Sequence, residues 1–282
     1  MTTSSQSTLS ISDLFRGDSQ LASPSGIYFE LQKIVDDPGK SLSDAAFIIE
    51  KDPALSLRLL KIVNSAFYCF PNKIASISQA ATLIGTTELK NITISTIFLD
   101  KFSDLPHDLL SIHDYWARSL RCGLIAKEID NYLGKEFADS VFICGLLHNI
   151  GQLVFFRRLP ELARDVSLLL YAMENPSDQQ EISIERRLIG FDHYQTGAAL
   201  TKLWNLPAIV PESIRLHAYP DNTDAYYKIA SIIRLADCYS KIDMDCCHIV
   251  MNSLGISADI MSVIIDKAYD EFEEIFKLFY HQ

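Results

Sequence analysis

The scarcity of turn-forming residues constrains this 282-residue chain more than any other feature. It holds 11 Gly and 10 Pro, about 7% of the residues, where about 12% is usual for the pair. A chain so short of helix breakers and hairpin formers favours long helices over an all-β meander. The apolar spacing agrees. Leu55, Leu59, Leu60 and Val63 share one helical face. Asp52-Pro53 ahead of them reads as N-cap and first helical residue, because proline lacks the N–H that would be orphaned there. The same reasoning predicts helices over 44–50 (capped by Ser43), from Ser78 to Gly85, from Thr87 to about Phe102, and over 112–133, the last ended by Gly134. Further helices are predicted over 137–148, 154–173, 180–189, 193–204, 211–217, 225–239 and 257–280. With no run of period-two strands and no internal repeat, the fold class read from the sequence is all-α.

Residues 1–10 are rich in Ser and Thr and are expected to be mobile. Leu105-Pro106-His107-Asp108 reads as a hinge. It divides an N-terminal helical part, 11–105, from a second helical part, 108–240, with a C-terminal helical segment over 241–282. Hydrophobic residues make 48% of the chain, which excludes general disorder. The length suffices to bury a core without disulfides. Six cysteines (Cys69, Cys122, Cys144, Cys238, Cys246, Cys247) show no CxxC spacing, and most lie in apolar helical stretches where Cys acts as a small hydrophobe. The opening MTTSSQSTLS has no basic region followed by an apolar one, and no apolar run approaches the ~18 residues of a membrane span. A cytoplasmic location without a membrane partner is expected.

The net charge is −11 with a pI of about 5.0. Nucleic-acid coating needs clustered Lys and Arg to displace counterions, so no nucleic-acid partner is expected. Residues 78–92 faintly resemble a helix-turn-helix, yet Lys90 is the only cation they offer, and helix packing is the favoured reading. Cys246-Cys247-His248, beside Asp243 and Asp245, lacks a distant second pair of ligands and reads as surface loop.

Chemistry concentrates elsewhere. Leu146-Leu147-His148-Asn149-Ile150-Gly151-Gln152 puts a histidine at the end of an apolar helix. His193 follows in Asp192-His193-Tyr194-Gln195-Thr196-Gly197, then His217, then Asp237 in Arg234-Leu235-Ala236-Asp237. Imidazoles with a carboxylate form a ligand set for a divalent transition metal. Structural roles stand beside that reading. Asp192 with Gln195 three residues on is a capping box. His217 falls in the last turn of a short helix, where an imidazolium favours the dipole. His148 and Asn149 can cap a helix end.

The segment around His148 resembles the HD superfamily of metal-dependent phosphohydrolases, in which a His-Asp pair on a helix supplies adjacent metal ligands. More specifically, the chain resembles the HDOD family, HD-related domains of bacterial signalling proteins. The resemblance rests on Ile49-Glu50-Lys51-Asp52-Pro53-Ala54-Leu55, Leu59-Leu60-Lys61-Ile62-Val63-Asn64-Ser65-Ala66-Phe67-Tyr68, the His148 segment, and Gly190 to Gly197 with Trp204-Asn205-Leu206-Pro207. It spans roughly residues 18–240 and implies an HD-like helical bundle with an N-terminal helical subdomain.

Carried over by position, the resemblance implies a degenerate metal site. The first HD-family histidine falls at Arg118, the aspartate of the His-Asp pair at Asn149, and the lysine that follows in cyclic-dinucleotide-cleaving relatives at Gln152. His148, His193, His217 and Asp237 keep the pattern, and any metal would fall to them. An Asn amide is neutral and a weak ligand. A guanidinium cannot lose its proton in a protein and repels a divalent ion. Without a metal nothing obvious lowers the pKa of water for attack on phosphorus. Arg118 is therefore expected to pair with Asp237 as an internal substitute for the ion, and no catalytic residue, metal or cofactor is expected. The function implied is a non-catalytic bacterial signalling or regulatory module acting through a signalling protein partner or a small ligand. The alternatives are a metal-dependent phosphohydrolase acting on a nucleotide or cyclic dinucleotide, and a DNA-binding regulator.

Overall fold

Short polar side chains open several of the helices, because the first turn of any helix leaves backbone N–H groups without partners. In the computed structural model, the described residues are 9–18, 21, 26–35, 37, 39–64, 68, 70–105, 110–137, 140–241 and 247–280. No strand occurs among them. A 3-10 turn over Ile11–Phe15 precedes five helices: α1 (Gly26–Val35), α2 (Leu42–Glu50), α3 (Pro53–Val63), α4 (Ile77–Ile84) and α5 (Thr86–Lys101). Asp52 caps α3 by accepting from the Ala54 and Leu55 N–H groups, with Pro53 at the first helical position as expected. The cap predicted for α2 shifts two residues toward the N-terminus, and α4 starts at Ile77 rather than Ser78. Ser41, not Ser43, forms a reciprocal capping box with Asp44. Ser76 accepts from the Gln79 N–H.

The second part comprises α6 (Ile112–Tyr132), α7 (Val141–Leu147), α8 (Ile150–Arg158), α9 (Pro160–Tyr171), α10 (Asp178–Leu188), α11 (His193–Leu203), α12 (Ile209–Leu216) and α13 (Tyr227–Lys241). After it come α14 (Cys247–Leu254) and α15 (Ala258–Tyr280). The single helix predicted over 154–173 is two. Pro160 occupies the first position of α9, and Leu159 takes non-helical angles (φ −135°, ψ 52°) between the two axes. The helix predicted from Phe137 starts at Val141 instead, because the Asp130 carboxylate takes the Phe137 N–H in a loop. Of the 246–248 stretch, Cys246 lies outside the described residues and His248 is exposed in the first turn of α14, a helix rather than a loop. Cys122 and Cys144 are buried free thiols, whereas Cys238, expected as a plain hydrophobe, is disulfide-bonded.

The long α6 is the axis of the second part, packed by α7, α13 and α15. Two cores lie on either side of α5. Leu89 and Ile92 join the core of α1–α4 with Ile49, Leu55, Leu59 and Ile77. Further along, Ile94, Phe98 and Phe102 enter the larger core around α6. There Phe98 stacks on Trp204 at 5.1 Å, and the Trp204 indole N–H donates to the Leu21 carbonyl at 2.9 Å. A half-buried triad adds to the seam: Lys127 of α6 donates to Glu88 of α5 at 3.1 Å and to Glu271 of α15 at 2.8 Å. Lys90 is itself buried, at 4% exposure, so the cation on which a DNA-reading helix would depend does not face solvent. Among the described residues no single helix is long and apolar enough to cross a membrane.

Two helix crossings are closer than any side chain permits. A Cβ on Gly145 of α7 would stand 2.7 Å from the Gly123 Cα of α6. A Cβ on Gly151 of α8 would stand 1.9 Å from the His193 carbonyl oxygen and 2.8 Å from the Gly197 nitrogen of α11. These contacts bring α6 against α7 and α8 against the start of α11. The Gly151→Ala variant is therefore expected to lose about 3 kcal/mol of unfolding free energy in urea titration, since backbone cannot yield as a side-chain tip would. Gly26→Ala, with nothing within 4 Å of its new Cβ, is the matched control and should be neutral or slightly stabilising.

Candidate functional site

The site begins with a local device used twice. His148 ends α7 and His217 ends α12, each as the C-cap residue in helical conformation. In both, Nδ1 donates to the carbonyl three residues back: Gly145 at 2.7 Å for His148 and Ile214 at 2.9 Å for His217. Satisfying a last-turn carbonyl in this way fixes the ring and points Nε2 away from its own helix. Both rings are fully buried and meet edge to face at 5.4 Å.

Asp237 comes to the same point from α13, where Arg234, Asp237 and Lys241 follow at spacings of three and four residues on one helical face. Its carboxylate is fully buried and crowded with partners. Oδ1 accepts from Arg118 Nη2 at 2.8 Å and Nε at 3.2 Å, lies 2.9 Å from His148 Nε2, and accepts from Ser240 Oγ at 3.3 Å. Oδ2 makes an ion pair with Lys241 Nζ at 2.9 Å, although the angles there fall short of a hydrogen bond. Lys241 also donates to Asp178 at 2.8 Å, and Arg234 pairs with the same Asp178. Burial works against ionising Asp237, but Arg118, Lys241 and His148 outweigh it and hold the carboxyl well below the usual carboxylate range. Arg118 is correspondingly held as a cation, its pKa raised by Asp237 against its own desolvation.

The histidines differ in charge. Burial, with His148 alongside, pushes His217 down to about 3. The ring is neutral, so the imidazolium–dipole role expected for it is corrected, and its Nε2 has no hydrogen-bond partner. Burial also lowers His148, with Asp237 opposing the shift. With Nδ1–H committed to Gly145, the contact from His148 Nε2 to Asp237 is attractive only when a second proton or another cation lies between them.

The expected quartet of ligands is split. His148, His217 and Asp237 present ligand atoms within 4.8 Å of one another, whereas His193 does so with Glu181 and Glu185 of α10. His193 Nδ1 lies 2.9 and 2.8 Å from the two Glu185 oxygens, and its backbone N–H donates to Glu185 at 2.9 Å. Burial opposes charging His193, yet Glu185 and Glu181 outweigh it and push its pKa up to about 9. Tyr194 lies between the groups, its ring 3.8 Å from His193 and 4.6 Å from His217. Asp192 is the helix cap the sequence implies, in a reciprocal box with Gln195. Gln152 donates to Glu181 at 2.8 Å, and Asn149, 2% exposed, leaves its Oδ1 unpartnered. Asp178, Glu181, Glu185 and Lys241 were not foreseen. The four-residue spacing of Glu181 and Glu185 on one face of α10 was the available signal.

A divalent ion fits this donor set poorly. Around Asp237, Arg118, Lys241 and Arg234 set three cations against the carboxylates of Asp237 and Asp178. An added ion would deepen a positive surplus in a buried region, where charge interactions are least screened.

The model of the HDOD domain matches residues 21–220. The chain belongs to the HDOD family. By that membership it is a signalling-related HD-like module, kin to the HD phosphohydrolases. An uncharacterised protein of Treponema pallidum is 30% identical over 214 residues, 74% of this chain and 40% of the relative. YuxH of Bacillus subtilis, also uncharacterised, is 26% identical over 148 residues, 50% of this chain and 34% of the relative. The chain thus aligns with well under half the length of these curated relatives. An HDOD domain protein of unknown function from Geobacter sulfurreducens has the same fold, with a TM-score of 0.76 at 23% identity, covering 96% of each chain. So does a candidate phosphohydrolase from Shewanella amazonensis, with a TM-score of 0.74 at 20% identity, covering 93% of this chain and 98% of that one.

Two consequences are measurable. The folded-state pKa of His193 is raised, so its contribution to stability is complete below the unfolded value of about 6.5 and is lost as pH rises through about 9. Urea unfolding free energy should fall over that window by up to about 1.4 kcal/mol per pH unit more in the unaltered chain than in His193→Gln. Separately, Asp237→Ala leaves Arg118 and Lys241 without their shared buried anion and should cost about 3–5 kcal/mol by the same assay.

Proposed function

We propose that the chain is a non-catalytic HDOD module in which an internal ion pair stands where relatives in the HD superfamily hold a metal, and that it acts by binding a protein partner or a small ligand. One observation carries the reading: two N–H groups of the Arg118 guanidinium converge on a single oxygen of Asp237, the only carboxylate in the His148–His217–Asp237 cluster. A guanidinium keeps its charge at any working pH. It thereby occupies the anion that a metal-bound hydroxide mechanism needs as ligand. Asn149 adds to the argument, since an amide supplies no charge to a second ion and no base for its water.

A second reading has its own support. His217 Nε2 is unpartnered, and His148 Nε2 faces an acceptor; a metal ion on these nitrogens and Asp237 would satisfy both. That arrangement favours the metal-dependent phosphohydrolase, whose substrate would be a phosphodiester.

Elemental analysis of the purified protein and calorimetric titration with Mn²⁺ separate the two. The non-catalytic reading expects no stoichiometric metal and no hydrolysis of bis(p-nitrophenyl) phosphate. It also expects the Arg118→His/Asn149→Asp double variant, which restores the HD ligand types, to gain Mn²⁺ binding. Stoichiometric metal in the unaltered chain, with turnover that His148→Ala abolishes, would establish the phosphohydrolase instead.

A further inference from the structure

One cavity opens beside Arg118, and a second adjoins it. The smaller, about 230 Å³, is bounded by Arg118, Asn149, Ser111, Ser119 and Gln152. The larger, about 400 Å³, is walled by Phe155, Phe156, Val166, Leu170 and Tyr171 of α8 and α9, with Glu181 and Glu185 at one side. Leu110 and Gln152 line both, so the two are lobes of one cleft. The smaller lobe alone is small for a ligand; the larger lobe, alone or with the smaller, has the size of ordinary small-molecule sites, about 300–1,000 Å³.

We infer that this cleft binds a small organic acid with an aromatic or branched apolar body and an N–H or O–H donor beside its acid group. The polarity of the cleft sets the orientation. Arg118 spends Nε and Nη2 on Asp237, while 27% of its side chain stays exposed in the smaller lobe. The three cations around Asp237 and Asp178 leave a positive surplus behind it, which disfavours a divalent cation and favours an anion. Asn149 lines the same lobe, and its Oδ1, buried at the wall, has no partner and is an acceptor that water or a ligand donor has to satisfy. Asp114 stands on the rim, but its side chain is 79% exposed and its charge is screened by water. In the larger lobe the charges reverse. Glu181 and Glu185 repel an acid group, and the phenyl and aliphatic walls accept its apolar body. The acid therefore sits at Arg118, the donor at Asn149 and the body between α8 and α9.

This inference rests on the non-catalytic, ligand-binding reading, and its test fails separately from that reading. Anilinonaphthalene sulfonate carries the three elements, an aromatic body, an anionic head and an adjacent N–H, and reports binding by fluorescence. It is expected to bind the full chain saturably and to be displaced by N-acetylphenylalanine. The uncharged N-acetylphenylalanine amide should displace it at least tenfold less well. Ser167→Phe fills the larger lobe from its half-buried wall, and Asn149→Leu removes the acceptor; each should weaken probe binding at least fivefold. Thermal unfolding of each variant checks that it is folded, and Ser167→Phe alone decides the matter if Asn149→Leu is not. Absence of saturable binding, equal displacement by acid and amide, or unchanged affinity in the folded variants would overturn the ligand site. The metal analysis is independent of all three outcomes, so a chain that binds neither metal nor probe keeps the non-catalytic reading and loses only this inference.

Discussion

A carboxylate with no exposure to water, Asp237, is the constraint around which the second helical part is arranged. An isolated buried charge costs several kcal/mol, and the fold offsets it by bringing cations from two helices: Arg118 from α6 and Lys241 from the next turn of α13. His148 from the end of α7 completes the ring of contacts. Each element that carries one of these groups is thereby fixed in register against the others. The close glycine crossings serve the same arrangement, since a side chain at Gly145 or Gly151 would push α7 or α8 out of reach. Electrostatic specificity and backbone packing here are two descriptions of one geometry.

That geometry also bears on what the domain does. A metal site and an ion-pair site make opposite demands on the same residues: the first needs anions converging on an empty point, the second a cation already there. Arg118 meets the second demand and Asn149 fails the first. His217 Nε2 and Asn149 Oδ1, both buried near the pair, have no hydrogen-bond partner among the described residues.

Much of this was legible in the sequence because it is local. Asp52-Pro53 and Asp192…Gln195 are caps whose partners lie within three residues, so type and spacing suffice. The Arg118–Asp237 pair crosses 119 positions, yet it was accessible because a family pattern places the two at one site. What escaped is what depends on burial. The sequence expects His193 beside His148 and His217, but Glu185, in the last turn of the preceding α10, takes its ring and backbone N–H together. Nothing in an eight-residue separation shows which of two carboxylate-rich surfaces will claim an imidazole. For His217 the sequence gives the right position on the helix and the wrong charge, since the effect of a dipole is visible in sequence and the cost of desolvation is not. The helix break at Leu159-Pro160 was missed for the opposite reason. The proline was in plain view, but unbroken apolar spacing on both sides outweighed it.

The double membership of α5 has a practical side. Leu89 and Ile92 belong to one core, while Phe98 and Phe102 belong to the other. A cut in the chain after this helix gives a leading fragment with bare aromatic rings and a trailing fragment with a hole beside Trp204. Modular shuffling of such domains has to move the helix with both of its neighbours, so the unit that evolution or an engineer can transplant is larger than either core taken alone.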